Sequence, residues 1–327
     1  MTILEKTEIQ LGYIPLLDCV ALLWAQHRGF FKEQGLNVNL VKEASWASLR
    51  DRLCYGVLDI AHCLSAILPA TRFGDEQLGI HLVTPLTLSI NRAYISLSQP
   101  LCYALNIKSD DNANTTAQKI CQAIEQGQTI QFAHVFKYSI HHYCLREWLA
   151  LANTNIAKNM KLSALPPPYM VDAISNQIID GFCVGEPWNS QSEIEGYSKI
   201  IGSSREIIPD VADKVLAMTT EWAAQHPNTV NALVVAIQKA QTELKHLENF
   251  DEVWQLLVEF NIIKFKCSDK IHTIKFYEIQ NIIRNFVHGD AIPREEDFDW
   301  IIKQMQKWDT IEINIDDMNL DASSFVI

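Results

Sequence analysis

Four positions far apart in the chain carry groups that an oxyanion site would use: Trp46, His141, Gly185 and Lys214. A small oxyanion needs positive charge, a few directed N–H donors and protection from water. Trp46 offers an indole N–H beside a flat apolar face. His141 falls near the start of a helical stretch, where backbone N–H groups and the helix dipole already favour an anion. Gly185 lets backbone approach a ligand closely, and Lys214 supplies a compact full charge. Each also has a plainer reading: a core tryptophan, a packing histidine beside His142, a turn glycine, a solvated lysine. Asp18 and Glu186 read as structural, because a carboxylate aimed at an anion repels it. His62 reads as an interior histidine, with no partner at metal-ligand spacing. Other chemistries lack their residues. There is no Gly-rich phosphate loop and no legible Ser-His-Asp constellation. The eight cysteines (Cys19, Cys54, Cys63, Cys102, Cys121, Cys144, Cys183, Cys267) include no C-x-x-C pair and read as buried small hydrophobes. No catalytic residue, cofactor or metal is expected.

The elements that must position these residues begin with an alternating unit. Ile9–Ile14 reads as a buried strand, and Asp18 stands where a helix N-cap would, before an apolar helix that ends near Gly29. Leu36–Val41 alternates apolar and polar as a strand does, a second helix runs to about Tyr55, and a third strand covers Val57–Ala61. Strands and helices alternating at this spacing imply a parallel sheet, whose ligands bind outside the carboxyl ends of the strands. A short helix spans Ala66–Phe73, with Pro69 acceptable in its first turn. Strands follow at Leu82–Leu88, Ala93–Leu97, Thr129–Ala133, Gln177–Val184 and Lys199–Gly202. Helices cover Thr115–Gln126 and Ser139–Ala152, and Pro166–Pro168 reads as an extended connector. The C-terminal third is helical, starting near Pro227, with segments at Phe250–Phe260, Ile271–Phe286 and Asp297–Trp308. Residues 1–90 plus 218–327 are expected to form one lobe and 91–217 a second, with a ligand cleft between them. Residues 309–327 are acidic and poorly patterned, which suggests a flexible tail.

The chain has 327 residues, enough for two cores, and 48% are hydrophobic. A net charge of −12 argues against direct nucleic-acid binding, which needs a basic face. One buried site can still be locally positive. The start, Met1–Glu8, has no basic segment, apolar stretch or small-residue cleavage site, and no apolar run approaches a membrane span. A cytoplasmic location is the expectation.

Several motifs add a resemblance. Gly12-Tyr13-Ile14-Pro15-Leu16-Leu17-Asp18, Gly29-Phe30-Phe31 with Gly35-Leu36, Glu43-Ala44-Ser45-Trp46-Ala47 with Arg50-Asp51, and Gly56-Val57-Leu58-Asp59-Ile60-Ala61-His62 resemble the nitrate/bicarbonate-binding branch of the type II periplasmic-binding-protein superfamily. Leu145–Ala150 after His141, Cys183-Val184-Gly185-Glu186-Pro187-Trp188, Asp213–Met218 and Gln304–Trp308 continue it over nearly the whole chain. The resemblance implies an α/β, two-lobed fold, each lobe a mainly parallel sheet flanked by helices. In the resembling nitrate binders the positions matching Trp46, His141, Gly185 and Lys214 line the ligand. In the bicarbonate binders the position matching Lys214 is a carboxylate that holds calcium, so a lysine favours nitrate or nitrite without a metal. Two departures stand out. Ala93 occupies a position that is usually an amide, leaving Asn91 or Arg92 to stand in. Lys137-Tyr138-Ser139-Ile140 replaces a Pro-Gly-Gly-Thr loop.

Three functions follow. The leading expectation is a cytosolic NasS-type nitrate/nitrite sensor that regulates nitrate assimilation through an antiterminator-type response regulator. The alternative is a solute-binding component of an ABC transporter for nitrate or another small anion. The third is an enzyme of the thiamine-pyrimidine-synthase-like branch, which carries a clustered cysteine motif absent from this sequence.

Overall fold

The opening alternation folds as strand, helix, strand, helix, strand in the computed structural model, which describes residues 3–73, 78–264, 273–287, 289, 291–309 and 322–327. Strands β1 (Glu8–Tyr13), β2 (Asn37–Lys42) and β3 (Ile60–Leu64) lie parallel in the order β2-β1-β3. Asp18 does not cap the Val20–His27 helix. It sits in a 3-10 turn, Leu17–Cys19, with its side chain turned inward. Gly29 takes φ 74, the left-handed conformation expected of it, and turns the chain into the short Phe30–Glu33 helix. Ser45 caps the Trp46–Cys54 helix by accepting from Ser48 N at 3.2 Å. β3 starts later than Val57, because Gly56 at φ 70 keeps the preceding residues in a turn.

The strand expected over Leu82–Leu88 is broken into β4 (Leu82–Val83) and β5 (Thr87–Ile90). Between them Thr84 Oγ1 donates to Leu86 O at 3.0 Å, and Pro85 can offer no ladder donor. The chain then builds β6 (Ala93–Ser98), β7 (Phe132–His134), β8 (Leu162–Ala164), β9 (Gly181–Gly185) and β10 (Ser198–Ser203), and returns as β11 (Ala212–Thr219). One sheet runs β2-β1-β3-β11-β4, with β5 also on β11, and the other runs β10-β6-β9-β7-β8.

The fold is α/β with two sheets and flanking helices, as read from the sequence, but the sheets are mixed rather than mainly parallel. β2-β1-β3 and β9-β7-β8 are the parallel runs, while β11, β6 and β10 pair antiparallel to their neighbours. Those strands follow or precede crossings between sheets and not the helical crossover that keeps strands parallel. All of β11 pairs within the first sheet, so residues 212–217 lie there and not with the second half, as the expected boundary at 218 had it.

The sequence reading also missed short elements. A Gln99–Ala104 helix follows β6, and Pro167–Tyr169 is a 3-10 turn that leads into the Met170–Ser175 helix instead of an extended connector. Proline's fixed φ suits a helical first turn as well as an extended one.

One apolar core lies between the first sheet, the Val20–His27 helix and the helices Pro227–His246, Asp251–Glu259 and Thr273–Arg284. The other runs from the first sheet through the second and takes in the closing helix, Glu295–Trp308. That helix reaches the second half: Lys307 Nζ donates to Glu147 Oε1 at 2.7 Å and Trp308 Nε1 to the same oxygen at 3.0 Å. Tyr143 Oη donates to Asp309 Oδ2 at 3.0 Å. The chain end is packed rather than a free tail. Ala322 and Phe325 are buried, and Val326 bridges Thr84; residues 310–321 of the expected tail lie outside the described residues. The seven described cysteines are buried and unbonded, and Cys267 lies outside the described residues. Among the described residues no helix is long and apolar enough to cross a membrane.

Candidate functional site

The ends of β1, β2 and β3 in the first sheet meet the end of β9 and the start of the Ile140–Ala150 helix in the second half, and the side chains there form one buried polar cluster. Antiparallel pairing of β11 with β3 sets Lys214 opposite Leu64 and Leu216 opposite His62, which places Lys214 and His62 on one face of the sheet as diagonal neighbours. The turn after β1 brings in Asp18. The Ser45 cap fixes the start of the Trp46 helix, and the Trp46 ring lies 5.7 Å, centroid to centroid, from that of His62. Lys214 Nζ is 5.7 Å from the Trp46 ring centroid, within cation–π range.

From the second sheet, Ser139 caps the Ile140–Ala150 helix by accepting from His142 N at 3.1 Å, which fixes His141 in the first turn. Gly185 closes β9, and a Cβ placed on it would lie 3.8 Å from both Asp18 Oδ2 and His141 Nε2. Any larger side chain would grow into the cluster. Leu17 N donates to Glu186 O at 2.9 Å and ties the two halves together beside it. Thus Trp46, His141, Gly185 and Lys214, named separately from the sequence, converge on one place. Asn91 and Arg92 do not join them. Asn91 Nδ2 donates to Pro209 O at 3.1 Å, and Arg92 Nη2 donates to Asn285 O at 3.0 Å.

Lys214 is not the free cation expected. Its Nζ lies 2.6 Å from Asp213 Oδ2 and 3.0 Å from Asp18 Oδ2. Asp18 was set aside as structural, yet its Oδ1 also lies 2.9 Å from His62 Nε2, and Asp213 Oδ2 lies 3.7 Å from His141 Nε2. A fully enclosed ammonium needs counter-charge, and the two carboxylates supply it. Asp18, Asp213 and His62 are therefore the members that sequence reasoning missed. A signal was present: Asp213-Lys214 is a charged pair inside the otherwise apolar run 211–218, and His62 interrupts a wholly apolar strand.

The electrostatics follow from enclosure. Burial works to raise the Asp18 carboxyl, but the Lys214 ammonium and then His62 hold it well below the usual range. Burial pushes Asp213 up to about 6 against the pull of Lys214, with the Asp18 charge adding to the rise. Lys214 is raised although burial opposes its charge, because both carboxylates favour it. Burial and the Lys214 charge keep His141 well below its ordinary value, and burial lowers His62. Both imidazoles are neutral near pH 7.

Polar groups in the cluster are unfilled. Trp46 Nε1 and the ring nitrogens of His141, one a donor and one an acceptor in the neutral imidazole, have no hydrogen-bond partner, whereas Lys214 Nζ is held by its two carboxylates and His62 Nε2 by Asp18. A buried unsatisfied polar group costs about 1–3 kcal/mol. Several within one cluster mark a place suited to a small polar molecule with acceptor oxygens.

Comparison with known proteins places the chain. A family model described as NMT1-like family matches residues 3–258. The bicarbonate transport ATP-binding protein CmpC of Synechocystis sp. is 32% identical over 322 residues, covering 94% of this chain and 47% of that protein. The nitrate/nitrite binding protein NrtA of Nostoc sp. is 31% identical over 281 residues, covering 83% of this chain and 61% of that protein. The chain thus spans about half the length of the curated relatives it matches, from 47% to 61% in these two. Among solved structures, the periplasmic nitrate-binding protein NrtA from Synechocystis shares the fold, with a TM-score of 0.80 at 22% identity, over 96% of this chain and 85% of that one. The aliphatic sulphonate binding protein SsuA from Escherichia coli does so more distantly, with a TM-score of 0.62 at 12% identity, over 98% of this chain and 92% of that one.

Proposed function

The chain belongs to the NMT1-like family, and from that premise we propose that it is a receptor for a small oxyanion, nitrate or nitrite first, serving an ABC-type anion import system. The observation that carries this is the enclosed cluster between the two sheets, where Trp46 Nε1 and the His141 ring nitrogens are unfilled beside the Lys214 ammonium. A planar oxyanion offers acceptors to several such donors at once, and its flat face suits the indole ring. The names of the similar proteins, bicarbonate and nitrate import ATP-binding proteins and nitrate/nitrite binding proteins, support a role beside an importer. None of those names points to the sensor or response-regulator partner expected from the sequence, so the importer reading takes precedence over it.

In this reading the two sheets belong to two lobes that part to admit the ligand and close over it, and the closed arrangement is favoured because only there do both halves reach the ion. Lys214 takes the position of a cation between two carboxylates, so binding needs no calcium. The test is a thermal-shift titration with nitrate, nitrite, bicarbonate with and without calcium, and sulfate. A ligand specific to the folded state raises the melting temperature once its concentration passes its Kd. Nitrate or nitrite should do so, with no calcium dependence. No shift with any of these oxyanions would rule the reading out.

A further inference from the structure

Charge accounting in the cluster leads further. Asp213 is faced by Lys214 on its own strand, Asp18 from the turn after β1, and His141 from the Ile140–Ala150 helix, with His62 of β3 beyond Asp18. The Cys183 thiol of β9 and the Cys63 thiol of β3 lie close by, and burial pushes both well up, so both are neutral. Where the closing helix meets the start of β11, Arg294 and Asp297 neutralise each other. Two carboxylates against one ammonium leave a surplus negative charge inside an enclosed space. An anion oxygen placed against the ionised Asp213 carboxylate meets another acceptor with no hydrogen between them, and a buried, unbridged contact of that kind is among the costliest arrangements in a protein.

We propose that an oxyanion enters this site together with one proton, which settles on the Asp213 carboxylate unless the ligand carries a proton of its own. The inference rests on the oxyanion-receptor reading above. The geometry supports it. Protonated Asp213 still lies beside Lys214 and turns from acceptor to donor, so it adds a hydrogen bond to an incoming oxygen in place of repulsion. A ligand such as bicarbonate brings its own O–H and can donate it to the ionised carboxylate, so it needs no proton from solvent. Asp213, given no site role in the sequence reading, becomes a specificity-determining residue. It sets the balance between bare oxyanions (nitrate, nitrite) and proton-bearing ones as pH changes. Its carboxyl, raised to about 6 by burial and by Asp18, is placed to gain a proton at little cost near neutral pH.

The experiment is titration calorimetry of the intact chain in PIPES and in Tris, at about pH 7.5, with nitrate and with bicarbonate. The two buffers differ in ionisation heat, so the difference between them counts the protons taken up. Nitrate should take up about one proton and bicarbonate about none, and nitrate affinity should fall about tenfold per pH unit above the Asp213 pKa. Asp213→Asn, which mimics the protonated acid, should bind nitrate with an affinity flat in pH; the wild-type proton count stands even if that variant does not fold. Nitrate binding with no proton uptake overturns the inference and leaves the receptor reading standing. Absence of heat with either ion, at this pH and again at about pH 5.5, removes both.

Discussion

His141 and His142 are neighbours in sequence and serve two different buried clusters. His141 faces Asp213 between the sheets. His142 faces away, where its Nδ1 meets His134 Nε2 at 3.2 Å and its Nε2 lies 3.7 Å from Asp309 Oδ1. Around His142 the protein fills most of its own hydrogen bonds, leaving His134 Nδ1 without a partner. Tyr143 donates to Asp309, Trp308 to Glu147 and Gln304, and Arg146 to Met160 O at 2.9 Å. The contrast extends to the tryptophans: Trp148 Nε1 donates to Ala113 O and Thr116 Oγ1, each at 3.1 Å, whereas Trp46 Nε1 has no partner. Burial of polar groups therefore does not distinguish the site from the clasp; what differs is that Trp46 and His141 stand unfilled together beside a buried ammonium. The clasp holds the closing helix to the second half, and the cluster around Lys214 keeps donors in reserve.

The largest effect should come from breaking the charge triad. Lys214→Ala leaves two buried carboxylates without their cation and should cost about 3–5 kcal/mol in urea unfolding near pH 8. Lys214→Ala combined with Asp213→Asn should recover part of that loss. A single variant as stable as the parent would mean that the lysine does not neutralise the pair.

Acidification should separate one group of each cluster, His134 and Asp213, by sign. Burial lowers the folded-state pKa of His134 from 6.5 to about 4, so its stabilisation is complete above pH 6.5 and is lost as pH falls towards about 4, a change of about 3 kcal/mol. Asp213 is raised from 3.8 to about 6, so its contribution runs the other way and is lost as pH rises from about 4 to about 6. Relative to wild type, the dependence of urea midpoints on pH should be shallower on the acid side in His134→Gln, and Asp213→Asn should lose the component that falls as pH rises from about 4 to about 6. Parallel curves for wild type and both variants would show that neither group titrates as its burial requires.

A smaller pair of effects crosses over at the tryptophans. Trp148→Phe should cost about 1–2 kcal/mol in stability and leave anion affinity unchanged. Trp46→Phe should change stability by less than about 0.5 kcal/mol, because its donor is unfilled in the free protein, yet weaken the anion about tenfold. The smallest effect belongs to the clasp. Tyr143→Phe should cost about 1 kcal/mol through its lost bond to Asp309, with no change in Kd. If Tyr143→Phe altered the Kd instead, the clasp would be coupled to the site.

Much of the architecture was legible in the sequence, because the opening elements are apolar runs of strand and helix length, Leu36–Val41 alternates, and Gly29 ends the first helix. Short elements were not: Gln99–Ala104 and Leu162–Ala164 carry too few residues to show a period. The tail was misread because its contact is tertiary. Phe325 packs against Phe73 and Phe298, which no local pattern reveals. The positions that converge between the sheets were named, but their electrostatics were not. Asp18 looked like a helix cap because aspartate favours caps. Only the pairing of β11 with β3 shows that Lys214 claims it instead.

Nitrate titrated calorimetrically into the intact protein and into Trp46→Phe at about pH 6 tests most directly whether the buried cluster is the oxyanion site. Saturable single-site binding by the wild type, weakened about tenfold in the variant while its urea midpoint stays put, is the predicted result. Equal affinity in the two proteins, or no binding of nitrate, nitrite or bicarbonate to the wild type, would contradict it.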